Sequence, residues 1–247
     1  MTFKDHFSTK SGDYADYRPT YPRALVEYLA GLCGQTELAL DVGCGTGQLS
    51  VLLTERFSQV VATDASAQQI EKAETHDRVA YRVAPAEQSG LPDHSVDLIT
   101  AAQAAHWFDL DAFYEEAHRV GKPGAVLALI TYGVIQADPD ISPIIEHFYK
   151  DVVGPYWPPE RRHVEEGYCS FAFPFEEWAA PPLAIDVQWQ AADLIGYVDT
   201  WSAVRGLEKA QGRQPIERLQ RELLALWGEP QHRRIIRFPL SLRVGRM

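Results

Sequence analysis

The chain has 247 residues, 46% of them hydrophobic and 23% charged, a balance that suits one globular domain with a sizeable core and excludes a chiefly disordered protein. Asp and Glu outnumber Lys and Arg by 34 to 23, for a net charge of −11. That sign repels phosphate backbones and anionic bilayers, so neither nucleic acid nor a membrane is expected as a partner. Three cysteines without paired spacing, and an N-terminus charged where a leader would be apolar, point to a reducing, cytoplasmic setting.

The lead-in, residues 1–21, is polar and aromatic, and Pro19 and Pro22 restrict their predecessors to extended backbone. Pro22 also suits the first turn of a helix over Ala24–Cys33, with Leu25, Tyr28 and Leu29 on one face. Leu38–Val42 reads as a strand. It is followed by a glycine cluster and a helical stretch carrying Leu49, Leu52, Leu53 and Phe57. A strand at Val60–Thr63, a helix at Ala67–Glu74, strands at Val79–Val83 and Val96–Ala102, a helix at Asp111–Val120 and a strand at Gly124–Tyr132 continue the alternation. Strands alternating with helices of about ten residues read as crossover units on a parallel sheet.

After Tyr132 the rhythm changes. A helix is expected over Ile141–Val153, and the Pro- and aromatic-rich stretch Gly154–Pro182 reads as a surface loop or cap. A strand at Leu183–Trp189, helices at Asp193–Val204 and Pro215–Trp227, and a strand at Ile235–Val244 close the chain. With no repeat and no flexible linker, residues 1–247 read as one domain. Its core spans 22–133, a cap-like insertion 134–182, and the segment 183–247 is expected to complete the sheet.

The sharpest motif is Asp41-Val42-Gly43-Cys44-Gly45-Thr46-Gly47-Gln48, between the first strand and its helix. Alternating glycines allow a tight turn and let a ligand reach the main chain without meeting Cβ atoms. A dinucleotide fingerprint needs glycine at the sixth position from Gly43, where Gln48 stands, so a nicotinamide cofactor fits poorly. Asp64, with Ala65 beside it, ends the second strand about 20 residues beyond the loop, where a carboxylate can receive ribose hydroxyls; capping the next helix is the alternative. Ala86-Glu87 follows the third strand, where a polar residue can read an adenine edge; an exposed charge is the alternative.

Together these motifs resemble the class I S-adenosylmethionine-dependent methyltransferases. In particular they resemble the small-molecule type 11 group, which includes enzymes similar to trans-aconitate methyltransferase. The resemblance rests on Asp41 before Gly43, Gly45 and Gly47, on Asp64, and on Glu87 ahead of Leu91-Pro92 and Ser95–Ile99. It extends through Tyr14-x-x-x-Arg18-Pro19-x-Tyr21-Pro22, Gly154–Pro158 and Ile195–Ser202. It implies an α/β doubly wound, seven-stranded, mostly parallel sheet in the order 3-2-1-4-5-7-6, with strand 7 antiparallel and a helical or loop elaboration. It also implies S-adenosyl-L-methionine as cofactor, with residues 1–21 as a lid whose Tyr14 and Arg18 close over the methionine end.

The chemistry is expected beyond the fourth strand, because ligands of parallel sheets lie at the strands' carboxyl ends. That position reads Gln103-Ala104-Ala105-His106-Trp107-Phe108. Gln103 joins the cofactor set, Trp107 is placed to face a sulfonium, and His106 is a candidate base for a protic acceptor; the alternative is that Trp107 and Phe108 are core aromatics and His106 a satisfied structural histidine. Asp109 and Asp111 read as a helix cap and dipole partner rather than a metal site, and no metal is expected. Arg161-Arg162-His163 beside Trp157 offers a clamp for a carboxylate; a solvated loop is the alternative. The expected activity is methyl transfer to a small molecule, with carboxylates among the candidate acceptors. The alternatives are a nicotinamide-dependent oxidoreductase or a domain that binds adenosylmethionine without catalysis.

Overall fold

Pro22 fixes an extended residue ahead of helix α1 (Arg23–Leu32), which buries Leu25, Val26 and Leu29. The computed structural model describes residues 19–247; Tyr14 and Arg18 lie outside the described residues. Beyond α1 come β1 (Leu38–Val42), α2 (Gln48–Leu53), β2 (Gln59–Asp64), α3 (Ala67–Glu71) and β3 (Val79–Val83). Next are β4 (Val96–Ala102), α4 (Leu110–Val120) and β5 (Gly121–Tyr132). Helix α3 stops three residues short of the expected Glu74 because the Glu74 N–H donates to the Thr46 carbonyl in the glycine loop, at 3.0 Å. A tertiary bond there replaces another helical turn.

β1 to β5 pair in parallel, and β4 is buried along nearly its whole length, as expected for a strand covered on both faces. Its one charged residue, Asp97, accepts from the Glu37 and Leu38 N–H groups at 2.9 and 3.0 Å and pairs with Lys122 at 2.8 Å. A buried carboxylate is tolerable when so many donors meet it, and here it fixes the start of β1 against β4.

With β6 (Glu176–Trp178) and β8 (Arg234–Arg246), the full strand order is β3-β2-β1-β4-β5-β8-β6. The final strand β8 (Arg234–Arg246) lies antiparallel on β5, in the place expected for strand 7. The edge place expected for strand 6 is taken by β6 (Glu176–Trp178), a strand too short to leave a periodic signal. The run expected at Leu183–Trp189 forms β7 (Ala184–Trp189), an eighth strand on the other half of β8. Trp178 faces Val244 and Ala184 faces Pro239, so the five residues 179–183 oppose the four residues 240–243. β6 and β7 are thus one edge strand broken by a bulge at Ala179-Ala180-Pro181-Pro182, where proline supplies no ladder donor.

The remaining helices depart from expectation. α5 (Ser142–His147) runs into a π-turn at Phe148–Val152, followed by a 3-10 turn at Gly154–Tyr156 and α6 (Arg161–Glu165). Gly154–Pro182 is therefore not a surface loop: it holds α6 and β6, and it carries Tyr168, which is fully buried. The helix expected over Asp193–Val204 is broken at Trp201 into α7 (Ala191–Asp199) and α8 (Ser202–Gln211), and α9 (Gln214–Trp227) follows. These three helices do not complete the sheet. They pack with residues 141–157 around Trp201, Trp227, Tyr197 and Phe238 as a separate apolar core, and only β7 and β8 of the last segment join the strands. Among the described residues no helix is long and apolar enough to cross a membrane.

Candidate functional site

The carboxyl ends of β1, β2 and β4 meet at the glycine loop. Gly43, Gly45 and Gly47 have φ of 68°, 56° and 87°, a region that side-chain-bearing residues rarely adopt. A Cβ on Gly43 would collide with that of Ala104 and lie 3.3 Å from the Phe108 ring; one on Gly47 would collide with the Tyr81 phenol. At Gly45 the nearest atom is Gln69 Oε1, 4.0 Å away. The outer two glycines are thus filled by the protein, and the middle one leaves main chain open to a ligand.

The acids around this loop have distinct tasks. Asp64 accepts from the Gly45 N–H through Oδ2 at 2.9 Å and from the Ser66 N–H through Oδ1 at 2.8 Å, and Ala65 beside it is exposed. Helix α3 is capped by Ser66, which accepts from Gln69 N–H, so capping does not account for Asp64. Asp41 is buried beneath the loop and accepts from Ser50 Oγ at 2.6 Å and Thr100 Oγ1 at 2.8 Å. Burial pushes its carboxyl up to about 6, against the pull of the two hydroxyls. Asp41 ties β1, α2 and β4 together, and both its oxygens are already engaged inside the protein.

Glu87 is half-buried and accepts from the Asp109 N–H at 3.0 Å, next to the buried Ala86. It bridges the β3–β4 connection to the start of α4. Asp109 is the N-cap of α4, and Asp111 lies in its first turn. No group of three or more potential metal ligands occurs among the described residues.

Gln103, the residue after β4, has a φ of 56°. Its amide donates to the Tyr132 carbonyl at 2.9 Å and accepts from Thr131 Oγ1 at 2.9 Å. A non-glycine residue held at positive φ beside the glycine loop marks local strain where a site is expected. His106 and Trp107 follow on a 3-10 turn, their rings 4.8 Å apart, with Trp107 37% exposed. The His106 Nδ1 lies 2.9 Å from the Tyr168 hydroxyl. Burial, reinforced by the charges of Arg161 and His163, lowers the His106 pKa to about 3, so its imidazole is neutral at physiological pH.

Helix α6 divides the basic triplet. Arg162 is exposed, and His163 packs on Phe171 and meets Ser170 Oγ at 2.9 Å. Arg161 turns inward: its guanidinium lies 4.8 Å from the centre of the Trp157 ring, and its Nε donates to the Tyr149 hydroxyl at 2.7 Å. Tyr149 in turn donates to Glu165 at 2.7 Å. Arg161 has no carboxylate partner among the described residues. A cleft of about 470 Å³ opens between the His106 turn and α6, lined by His106, Phe108, Asp109, His163 and Phe171 among others.

Sequence reasoning missed Tyr168, Thr131, Tyr149 and Tyr81. The first three reach the site from elements whose spacing carries no motif. Tyr81 left only the signal of an aromatic on a strand beside the loop.

A methyltransferase domain family model matches residues 40–129. A Dictyostelium discoideum protein assigned as a methyltransferase is 35% identical over 226 residues, covering 90% of this chain and 86% of its own. A Saccharomyces cerevisiae protein assigned as an S-adenosylmethionine-dependent methyltransferase is 28% identical over 174 residues, covering 64% of this chain and 59% of its own. A solved structure from Anaeromyxobacter dehalogenans, assigned as a type II methyltransferase, superposes with a TM-score of 0.89 at 45% identity. It covers 93% of this chain and 97% of its own.

Proposed function

The chain belongs to the S-adenosylmethionine-dependent methyltransferases, and from that premise we propose that its acceptor is a small-molecule carboxylate held by Arg161. When bound, S-adenosylmethionine supplies a methyl group on a sulfonium for in-line displacement by the acceptor. The open main chain at Gly45 and the Asp64 carboxylate suit a nucleoside: Asp64 keeps lone pairs for ribose hydroxyls beyond the two amides it accepts. Around it we assign Gly43, Gly47, Ala65, Ala86, Glu87 and Gln103 to the same ligand, with Asp41 supporting the loop from below. Tyr14 and Arg18 are assigned to its methionine end on the family resemblance. Trp107 offers its face to the sulfonium.

The observation that carries the acceptor class is the Arg161 guanidinium, stacked on Trp157, fixed by Tyr149 and without an ion-paired acid among the described residues. A planar guanidinium held this way matches a carboxylate in two parallel hydrogen bonds. A carboxylate is already ionised at neutral pH, so His106 has no proton to remove, which agrees with its low basicity. The protein's task is then alignment and exclusion of water.

Turnover of a panel of small carboxylates with methyl-labelled cofactor tests this reading. Arg161→Gln is expected to raise KM for a methylated acid about 10–100-fold, the loss of a charged hydrogen-bonded pair, and primary-amide analogues are expected to fail. Unchanged KM in Arg161→Gln, or equal turnover of the amides, would overturn the carboxylate assignment.

A further inference from the structure

We propose that Tyr149 is a positioning residue that keeps Arg161 open to an anion, by standing between that guanidinium and the Glu165 carboxylate. Arg161 and Glu165 are the first and last residues of α6, one helical turn apart, a spacing that brings opposite charges together and favours a direct ion pair. That pair is not formed: Arg161 has no ion-paired acid among the described residues. The Tyr149 hydroxyl makes the link in its place, 2.7 Å from Arg161 Nε and 2.7 Å from Glu165 Oε1.

A guanidinium only donates, so Nε gives its proton to the Tyr149 oxygen, and Tyr149 gives its own to Glu165. Nε is then spent. A carboxylate can take two parallel bonds from a guanidinium either at Nε and one terminal nitrogen or at the two terminal nitrogens. The second way alone is left, and Nη1 and Nη2 have no hydrogen-bond partner among the described residues. The acid is therefore expected to meet Arg161 end-on.

Tyr149 is itself firmly held. It is buried and lies in the π-turn Phe148–Val152, closed by the Val153 N–H on the Phe148 carbonyl at 2.9 Å, a widened turn of the kind that recurs at functional sites. Its ring centre lies 4.9 Å from that of Trp157 and 5.3 Å from that of Trp201. Its carbonyl accepts from Trp157 Nε1 at 3.3 Å, and Trp157 is the ring on which Arg161 stacks. One residue thus fixes the support of the guanidinium, occupies one of its edges and screens it from the nearest acid on its own helix. The role rests on the proposed function, in which Arg161 receives the acceptor's carboxylate.

A crystal structure of Tyr149→Phe, with no ligand added, tests the positioning apart from turnover. Phe keeps the ring that packs on Trp157 and Trp201 and removes only the hydroxyl. Arg161 is expected to swing onto Glu165 as a direct ion pair, within about 4 Å; a guanidinium that stays in its native place overturns the proposal. In kinetics, the probe is the acid of the carboxylate panel that the native enzyme methylates fastest. Tyr149→Phe is expected to raise its KM about 10-fold with kcat within about threefold of native. Adding Glu165→Gln removes the competing charge and is expected to recover at least about threefold of that loss. General damage to the fold would lower kcat and gain nothing from a change at Glu165. An unchanged KM in Tyr149→Phe, or a rise that Glu165→Gln does not relieve, overturns the proposal. Unchanged KM in Arg161→Gln overturns the carboxylate reading instead, and the crystal structure of Tyr149→Phe stands apart from that result.

Discussion

The parallel half of the sheet, residues 38–132, and the cap, residues 134–238, are both densely packed, but they are held by different means. In the first, β1, β2, β4 and β5 are largely buried, and the carboxylates among them have named partners: Asp41 with Ser50 and Thr100, Asp64 with Gly45 and Ser66, Asp97 with Glu37, Leu38 and Lys122. In the second, large rings meet across long sequence distances. Trp157 lies 5.7 Å from Trp201, Tyr149 lies 5.3 Å from Trp201, and Tyr197 lies 5.2 Å from Phe238. The half that takes the shared cofactor is built on backbone turns and fixed hydrogen bonds. The half that we assign to the acceptor is built on side-chain packing.

If the two regions are separable in this way, damage to one should leave the other working. The largest effect is expected from Trp227→Ala, which empties the centre of the cap core. Loss of a buried Trp costs about 3–5 kcal/mol, measurable by urea unfolding, while cofactor affinity of the folded variant stays within about threefold. Cofactor binding lost together with cap stability would show that the regions are one unit.

Within the loop, Gly47→Ala is expected to cost about 2–4 kcal/mol, because it adds positive-φ strain to a collision with Tyr81. Gly45→Ala has open space and should cost only about 1 kcal/mol of stability, yet weaken cofactor binding by more than that. Equal stability losses at the two positions would erase the distinction between packed and open glycines.

Asp41 gives a pH signature of the same half. Its folded pKa of about 6 lies above its ordinary 3.8, so the fold favours the protonated acid. Its contribution to stability is complete below about pH 4 and is lost as pH rises through 6, on the order of 2–3 kcal/mol. Asp41→Asn should flatten that slope between pH 4 and pH 6 in thermal unfolding, and an unchanged slope would place the titration elsewhere. The smallest effect belongs to His106. With its pKa near 3, kcat/KM for a carboxylate should show no break from this residue between about pH 5 and pH 8, and His106→Ala should lower kcat less than about 10-fold. A break near 6.5 that vanishes in the variant would restore it as a base.

The same contrast explains what the sequence could disclose. Asp41, the three glycines, Asp64, Glu87 and Gln103 all lie within a few residues of a strand's end, so position in the chain gives position in space. The five parallel strands were legible for the same reason. β6 is three residues long and sits in a proline-rich run, so neither alternation nor composition marks it. Tyr168 reaches His106 across 62 positions, a distance that no local pattern encodes. Arg161 stood out only as one of three basic residues, and the turn of α6 decides that Arg162 faces solvent while Arg161 turns inward.

The central claim is that the loop and Asp64 hold the nucleoside of the cofactor, and calorimetry with S-adenosylhomocysteine tests it most directly. Native protein should bind at a single site, and Asp64→Ala should lose about 1–3 kcal/mol of affinity, roughly 10–100-fold, as the ribose hydroxyls lose a charged acceptor. A variant that binds as tightly as the native protein would contradict the assignment.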